Sequence, residues 1–213
     1  MYKKFLDLGK QPLANKFLTK AEISKKEDFY NLSIGFNKKN NLVSILKTIS
    51  SKRMFNDKYP YRSSMSETMK NYFYELSKKI IKEFNPSCFL EIGSNDGTLI
   101  KNFDKKKSIC VEPCKNHAKI TTKMGYKTYP KYWNLSLAKK IKKENKKIDL
   151  IYSANTISHI HDLTSVFKSA EYVLSKNGIL IIEDPSLLEC LKLGSYDQFY
   201  NEHIYVFSLL SIN

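Results

Sequence analysis

A turn of glycine and polar residues, Glu91-Ile-Gly-Ser-Asn-Asp-Gly97, follows a short apolar stretch of the chain. Gly93 permits a tight turn and the close approach of a ligand to the backbone, and Gly97 permits close packing at the start of a helix. Glu112 follows about 20 residues later, where a carboxylate can accept both ribose hydroxyls of an adenosine cofactor. This spacing predicts a cofactor site. A turn that only connects a strand to a helix is the alternative.

The polar residues of the turn favour one type of cofactor. A dinucleotide site favours the full G-x-G-x-x-G pattern, whereas here Asn95 and Asp96 occupy the part of the loop that faces phosphate, and Asp96 would repel a pyrophosphate. S-adenosylmethionine is cationic at its amino group and sulfonium, so it suits an acidic loop. The residues predicted to bind S-adenosylmethionine are Glu91, Gly93, Ser94, Asn95, Asp96, Gly97, Glu112, Pro113, Asn155 and Trp133.

Two of these residues, Asn155 and Trp133, lie well beyond Glu112 in the chain. Asn155 lies just past the fourth predicted strand, which places it near the methionyl part of the cofactor. Trp133 and its neighbour Tyr132 follow the third predicted strand, where they either flank the adenine or pack in the core.

The elements that must position these residues alternate between strands and helices. Short, mostly apolar runs predict strands at 88–92, 108–111, 126–129, 149–153 and 179–183, the last preceded by a turn at Asn177-Gly178. Helices are predicted between them at 98–103, 115–124, 135–144 and 162–174. This alternation predicts an α/β fold with a doubly wound, mainly parallel sheet, and such sheets bind ligands at the carboxyl ends of their strands.

The chain divides near residue 65. Residues 1–65 show weak periodicity and predict a small, irregular N-terminal module. From Ser66 onward a helix is predicted, because apolar side chains recur at helical spacing from Met69 to Phe84. Residues 66–213 are therefore predicted to form the cofactor-binding domain.

Composition bounds the function. The chain has 213 residues and a formal net charge of +15, which invites a nucleic-acid-binding hypothesis. Almost all basic residues are lysines, whereas base and phosphate recognition favour arginine, so a solvated lysine-rich surface is expected and a basic nucleic-acid-binding module is the alternative. The four cysteines are expected to be reduced thiols without a metal, and no signal peptide or membrane span is seen, so a cytoplasmic location is expected.

Several segments together resemble the sugar C-methyltransferases, which use S-adenosylmethionine to methylate carbon in nucleotide-linked 4-keto-deoxysugars. In chain order the matching segments are 6–15, 59–64, 91–98, 155–162, 182–185 and 200–203. The resemblance implies the class I (Rossmann-like) methyltransferase fold, a function in deoxysugar biosynthesis and a nucleotide-sugar substrate.

The resemblance also implies the catalytic residues. Methylation next to a ketone needs a base for the C–H proton and donors for the enolate oxygen. His203 is the candidate base, since a neutral imidazole is available near pH 7. Glu202 is expected to assist or orient it. Tyr200, Tyr61 and His159 resemble positions that bind the sugar or polarise its keto oxygen, with Tyr59 a further candidate and His161 expected to be structural.

The chain departs from that family in two ways. The family's N-terminal module carries zinc-binding cysteine pairs, but residues 1–60 contain no cysteine, so no zinc is expected. The chain is also expected to stop after the fifth strand, before the C-terminal domain of the family. An alternative to an active enzyme is therefore an inactive or split-gene fragment that needs a second polypeptide.

Overall fold

The computed structural model describes residues 1–144 and 147–212. Its strands are β1 (Lys3–Gln11), β2 (Tyr30–Asn37), β3 (Leu42–Ile45), β4 (Phe89–Ile92), β5 (Ser108–Val111), β6 (Lys127–Tyr129), β7 (Ile148–Ala154), β8 (Leu174–Glu183) and β9 (Tyr205–Val206). Its helices are α1 (Ser51–Met54), α2 (Glu67–Phe84), α3 (Lys115–Lys123), α4 (Leu135–Glu144), α5 (Leu163–Val173), α6 (Leu187–Leu193) and α7 (Leu209–Ile212). None of the helices in these ranges is long and apolar enough to cross a membrane.

The described chain divides into two compact units. The first, here called the parallel unit, comprises residues 55–157 and 162–183, and the second, here called the antiparallel unit, comprises residues 1–54, 158–161 and 184–213. The predicted boundary at residue 65 stays a prediction. Residues 145, 146 and 213 of the predicted second domain lie outside the described residues.

The parallel unit is built on a five-stranded parallel sheet in the order β6-β5-β4-β7-β8. Its central strands β4 and β5 are buried along their whole length, as expected for strands with both faces covered. Helix α2 starts at the predicted position, where the Ser66 hydroxyl accepts the backbone N–H of Met69 at 3.2 Å. The helix buries Phe73 and Ile80 in the same apolar cluster as the strands. The predicted sheet type is confirmed.

Two local predictions in this unit are wrong. The predicted helix at 98–103 is only a 3₁₀ turn at Ile100–Asn102, and the Phe103 ring instead stacks on Phe89 with ring centroids 4.0 Å apart. Packing against the core therefore outweighs helix formation in a segment too short to sustain it. The predicted turn at Asn177-Gly178 lies within β8, whose pairing with β7 shifts register between Ile148 and Leu150. These residues form an irregularity of the strand rather than its start.

The antiparallel unit contains a second sheet, in the order β1-β2-β3-β9. Its strands pair antiparallel, and its core includes Ile34, which is fully buried. The sequence predicted an irregular module for these first residues, and the structure is more regular than that. Three of the sheet's four strands come from these first residues and pair in sequence order, and the fourth, β9, comes from residues 205–206 and pairs with β3.

Candidate cofactor-binding and catalytic sites

The glycine turn after β4 depends on the absence of side chains at two positions. Gly93 and Gly97 have φ angles of 74° and 83°, in the left-handed region that side chains rarely adopt. A Cβ atom on Gly93 would lie 2.1 Å from Oγ1 of Thr156, and one on Gly97 would lie 2.9 Å from Cγ2 of Thr121. Only glycine therefore allows the turn to pack against its neighbours at these two positions.

The carboxylate of Glu112 is fixed at the end of β5. Its Oε2 accepts the backbone N–H of Asn95 at 2.8 Å, and its Oε1 accepts the backbone N–H of Cys114 at 2.8 Å. Burial raises the pKa of Glu112, while these two N–H donors act in the opposite direction. The Cys114 side chain donates a third hydrogen bond to the same carboxylate. The geometry fits the predicted role of Glu112.

Glu91 has a different environment within the same sheet. It pairs in register with Cys110 on β5 and Tyr152 on β7, and its side chain is buried. Burial, followed by the nearby charge of Glu112, raises the pKa of Glu91 well above its usual value. Its Oε2 atom has no hydrogen-bond partner in the described part of the chain. Glu91 is thus a buried carboxyl group that favours its neutral form.

The side chains of Asn95 and Asp96 hold a segment that the sequence did not link to the turn. This segment, residues 55–65, is here called the strap. Asn95 accepts the backbone N–H of Ser63 at 3.0 Å through Oδ1 and donates to the carbonyl of Tyr61 at 3.2 Å through Nδ2. Asp96 accepts the backbone N–H of Ser64 at 3.3 Å. Both side chains therefore position the strap, including Tyr61, whose side chain is about half exposed.

The other half of the strap is held by α3 and by a tyrosine. The Tyr59 carbonyl accepts hydrogen bonds from Nδ2 of Asn116 at 2.8 Å and from Nε2 of His117 at 3.0 Å. The hydroxyl of Tyr132 donates to the carbonyl of Phe55 at 2.7 Å. Sequence reasoning missed Asn116 and His117, because nothing in their spacing pointed to a backbone carbonyl some 57 residues earlier.

Four further residues of the predicted cofactor set lie in or near these elements. Asn155 follows β7, is exposed, and has a left-handed backbone with φ 46°. Pro113 directly follows Glu112, and Ser94 is buried in the turn. Trp133 is buried as well, and its indole N–H donates to the carbonyl of Val166 at 3.3 Å. Of the two alternatives for Trp133, this environment favours packing in the core.

In the antiparallel unit, the His203 ring and the Tyr200 hydroxyl form a hydrogen bond, here called the Tyr200–His203 pair. Nδ1 of His203 lies 2.9 Å from the carbonyl oxygen of Gln198, and Nε2 lies 2.9 Å from the Tyr200 hydroxyl. A carbonyl only accepts, so Nδ1 carries the proton and Nε2 of the neutral ring accepts the tyrosine O–H. Burial lowers the pKa of His203 to about 4, partly offset by the Gln198 bond. His203 is therefore neutral at pH 7, and Tyr200 covers its basic nitrogen.

A second histidine lies beside this pair. The rings of His159 and His203 have centroids 5.0 Å apart. Burial, and to a smaller extent the charge of His203, lowers the pKa of His159 to about 3. Both imidazoles are therefore neutral near pH 7.

Glu202 and Asn201, which lie between Tyr200 and His203 in the sequence, contact residues near the start of the chain. The buried carboxylate of Glu202 accepts a hydrogen bond at Oε1 from Nδ2 of Asn15 at 2.9 Å. The preceding residue, Asn201, donates from Nδ2 to the carbonyl of Pro12 at 3.2 Å. The carbonyl of His161 accepts the hydroxyl of Tyr205 at 2.8 Å. Four predicted catalytic residues, Tyr200, Glu202, His203 and His159, belong to the antiparallel unit, and the fifth, Tyr61, belongs to the parallel unit.

Residues 61–213 match a family model described as "Methyltransferase domain", and the chain belongs to that family. Similar solved structures have the class I S-adenosylmethionine-dependent methyltransferase fold. The plantazolicin methyltransferase BamL, solved with SAH, has a TM-score of 0.52 and 17% identity, over 70% of this chain and 62% of that one. The plantazolicin methyltransferase BpumL has a TM-score of 0.53 and 14% identity, over 70% of this chain and 63% of that one. The predictions of the fold class and of a methyltransferase domain are confirmed.

A curated relative covers almost the whole chain. C-methyltransferase NovU of Streptomyces niveus is 23% identical over 212 residues, which is 97% of this chain and 50% of the relative. The chain therefore spans about half the length of this relative.

Residues 2–55 match a second family model, described as "Putative zinc binding domain". Zinc sites in proteins use mainly cysteine and histidine, and this stretch contains neither residue type. Across residues 1–144 and 147–212, no group of three or more His, Cys, Asp or Glu side chains is arranged to hold a metal ion. The residues present do not fit a zinc site, although the family model matches.

Proposed function

We propose that this chain provides an S-adenosylmethionine-dependent C-methyltransferase that acts next to the keto group of a nucleotide-linked deoxysugar. The observation that carries the proposal is the Tyr200–His203 pair, because methylation next to a ketone needs a neutral base. The name of the Streptomyces niveus relative supports carbon as the methylated atom. A nucleotide-linked sugar as the substrate is supported by the resemblance of six segments, in the same chain order, to the sugar C-methyltransferases.

The parallel unit provides the residues for cofactor binding. S-adenosylmethionine supplies an electrophilic methyl group on a sulfonium. In the proposal, the Glu112 carboxylate, which the backbone N–H groups of Asn95 and Cys114 hold in place, accepts the ribose hydroxyls. The backbone of the turn from Gly93 to Gly97 contacts S-adenosylmethionine, and Asn155 contacts the methionyl part of this cofactor.

The antiparallel unit provides the proton acceptor. Because Nε2 of His203 accepts the Tyr200 hydroxyl, a substrate proton reaches it through the phenolic oxygen. In the proposal, the oxygen of Tyr200 takes the C–H proton while its own proton moves to His203. The resulting imidazolium donates from Nδ1 to the carbonyl of Gln198. Tyr200 thus contacts the substrate, and His203 stores the proton.

The remaining predicted residues take supporting roles. His159 is neutral, so one ring nitrogen can donate to the enolate oxygen that forms when the proton leaves. Tyr61, which the strap presents with its side chain about half exposed, is assigned to the sugar. Glu202 assists the Tyr200–His203 pair as a buried carboxylate.

One experiment separates the cofactor claim from the substrate claim. Calorimetric titration with S-adenosylhomocysteine is expected to show binding that Glu112→Ala weakens and His203→Gln leaves unchanged. Incubation of S-adenosylmethionine with a nucleotide-linked 4-keto-deoxysugar is expected to add one methyl group, detected by mass spectrometry, and His203→Gln should abolish the addition. Absence of S-adenosylhomocysteine binding would refute the cofactor site. Binding without methylation of any keto sugar, both by the chain alone and after addition of a partner polypeptide, would refute the substrate.

A second candidate is a fragment that works only with a second polypeptide. The observation in its favour is β8, which pairs within the described chain only with β7 and leaves its other edge open. Open edges of sheets accept further strands. Leu188 and Leu191 of α6 are also exposed. Methylation by the purified chain alone would reject this candidate, and inactivity that a partner polypeptide restores would support it.

A further inference from the structure

Asn15 ends the matching segment 6–15, but nothing in the sequence assigned it a role or linked it to segment 200–203, here called the catalytic segment. Asn15 lies in a turn after β1, and its Nδ2 atom donates to Oε1 of Glu202 across 187 residues of sequence. The donor–acceptor distance of 2.9 Å is that of a normal N–H···O bond.

The burial of Glu202 gives this bond its importance. The residue is only 2% exposed, so its carboxylate depends on protein donors in place of water. The amide nitrogen of asparagine donates and cannot accept, so Asn15 is the donor of this bond and the Glu202 carboxylate is the acceptor. Loss of a donor to a buried carboxylate costs more than the loss of an exposed bond.

A second contact joins the same two segments. Asn201 donates to the carbonyl of Pro12 at 3.2 Å, three residues before Asn15. Further along, the backbone N–H of Ile45 donates to the carbonyl of Ile204 at 2.9 Å, and Val43 pairs with Val206. The segment 201–206 is therefore bound to the N-terminal residues on both sides of Glu202. These contacts connect residues 2–55, which match a zinc-binding family model but lack zinc ligands, to the segment that contains Glu202.

We propose that Asn15 is a positioning residue that orients the Glu202 carboxylate and thereby the adjoining Tyr200–His203 pair. The inference rests on the proposed function for its catalytic consequence. Asn15 itself does not contact the substrate. Its effect passes through Glu202 and through the backbone from Glu202 to His203.

The isosteric variant Asn15→Asp tests this role. It keeps the shape of the side chain but replaces the donor by a second carboxylate against Glu202. We expect a fall in melting temperature of roughly 5–10 °C and a fall in kcat of about 10–100-fold, with KM changed less than kcat. Asn15→Ala should be milder than Asn15→Asp, because it removes the bond without adding repulsion. A residue that only fills space would give the opposite order.

The exchanged pair Asn15→Asp with Glu202→Gln provides the second variant. There a glutamine amide can donate to the new aspartate, so the bond is restored with reversed polarity. We expect most of the lost melting temperature to return while kcat stays low, because the Glu202 charge is absent. Asn31→Asp, an exposed position in β2, is the matched control and should leave both quantities unchanged.

The two proposals fail in different ways. If Asn15→Asp melts and turns over like the wild type, or if Glu202→Gln does not restore its melting temperature, the role of Asn15 is wrong. If the wild type methylates no keto sugar, the proposed function is wrong, while the melting temperatures still test whether Asn15 holds Glu202.

Discussion

The glycine turn of the parallel unit and the catalytic segment of the antiparallel unit are built in different ways. The turn uses backbone geometry, namely two glycines with positive φ and a carboxylate that binds two backbone N–H groups. The segment 200–203 uses side chains that reach residues close in sequence, such as Gln198, and residues far away, such as Asn15. Substitutions should therefore affect folding and cofactor binding at the turn, and proton transfer at the segment.

The largest effect is expected at the turn. Gly93→Ala should lower the free energy of unfolding by roughly 3 kcal/mol or more, because a Cβ atom there meets Thr156 and the φ angle is unfavourable. Gly9→Ala is the control, since Gly9 has φ 71° but no atom within 4 Å of a Cβ. Chemical denaturation measures both variants. Equal losses would mean that backbone strain alone, and not contact with Thr156, makes glycine necessary.

An acid-dependent loss of stability is expected next, in the antiparallel unit. The pKa values of His159 and His203 are lowered by burial to about 3 and about 4. The unfolded chain therefore binds more protons below about pH 6.5, and stability is lost as pH falls from there toward pH 4. His159→Gln should flatten the melting temperature against pH over this range. His161→Gln, at an exposed histidine, should leave the slope as in the wild type.

A smaller effect is expected in the strap. Asn95→Ala removes bonds to Ser63 and Tyr61, so the backbone amides of residues 61–64 should exchange hydrogen faster. The rest of the parallel unit should keep its protection. Asn31→Ala serves as the control for a surface asparagine. Unchanged exchange in the strap would mean that its position depends on the contacts of Tyr59 with α3 instead.

No effect is expected from metal removal. The residues that match the zinc-binding family contain no cysteine or histidine, so EDTA should leave the melting temperature of the chain unchanged. Elemental analysis should find zinc well below one atom per chain. Stoichiometric zinc, together with a lower melting temperature in EDTA, would contradict this expectation.

The difference between the two regions also explains what the sequence could predict. The parallel sheet, α2 and the turn with Glu112 followed from local patterns, since glycines, apolar runs and the spacing to an acid are all visible in one stretch. The pairing of β3 with β9 was not visible, because its partners are about 160 residues apart and β9 has only two residues. The contacts of Asn15 with Glu202 and of His117 with Tyr59 were missed for the same reason.

The candidate site shows the same limit at the level of single atoms. The sequence placed His203 as the base, and only the structure places the Tyr200 hydroxyl on its Nε2 atom. The sequence assigned Asn95 and Asp96 to the cofactor, and the structure places their side chains on the strap. Residue types predict the kind of chemistry, but hydrogen-bond partners decide which atom is available for it.

The most direct test of the division between the two regions is Tyr200→Phe, measured for both S-adenosylhomocysteine affinity and methyl transfer to a nucleotide-linked keto sugar. We expect kcat to fall about 100-fold or more, since the variant removes the phenolic oxygen that takes the substrate proton. The dissociation constant of S-adenosylhomocysteine should stay within about twofold of the wild-type value, well below the tenfold that corresponds to about 1.4 kcal/mol, because Tyr200 has no role in cofactor binding in the proposal. An unchanged kcat, or a loss of affinity that matches the loss of rate, would contradict separate roles for the turn and the catalytic segment.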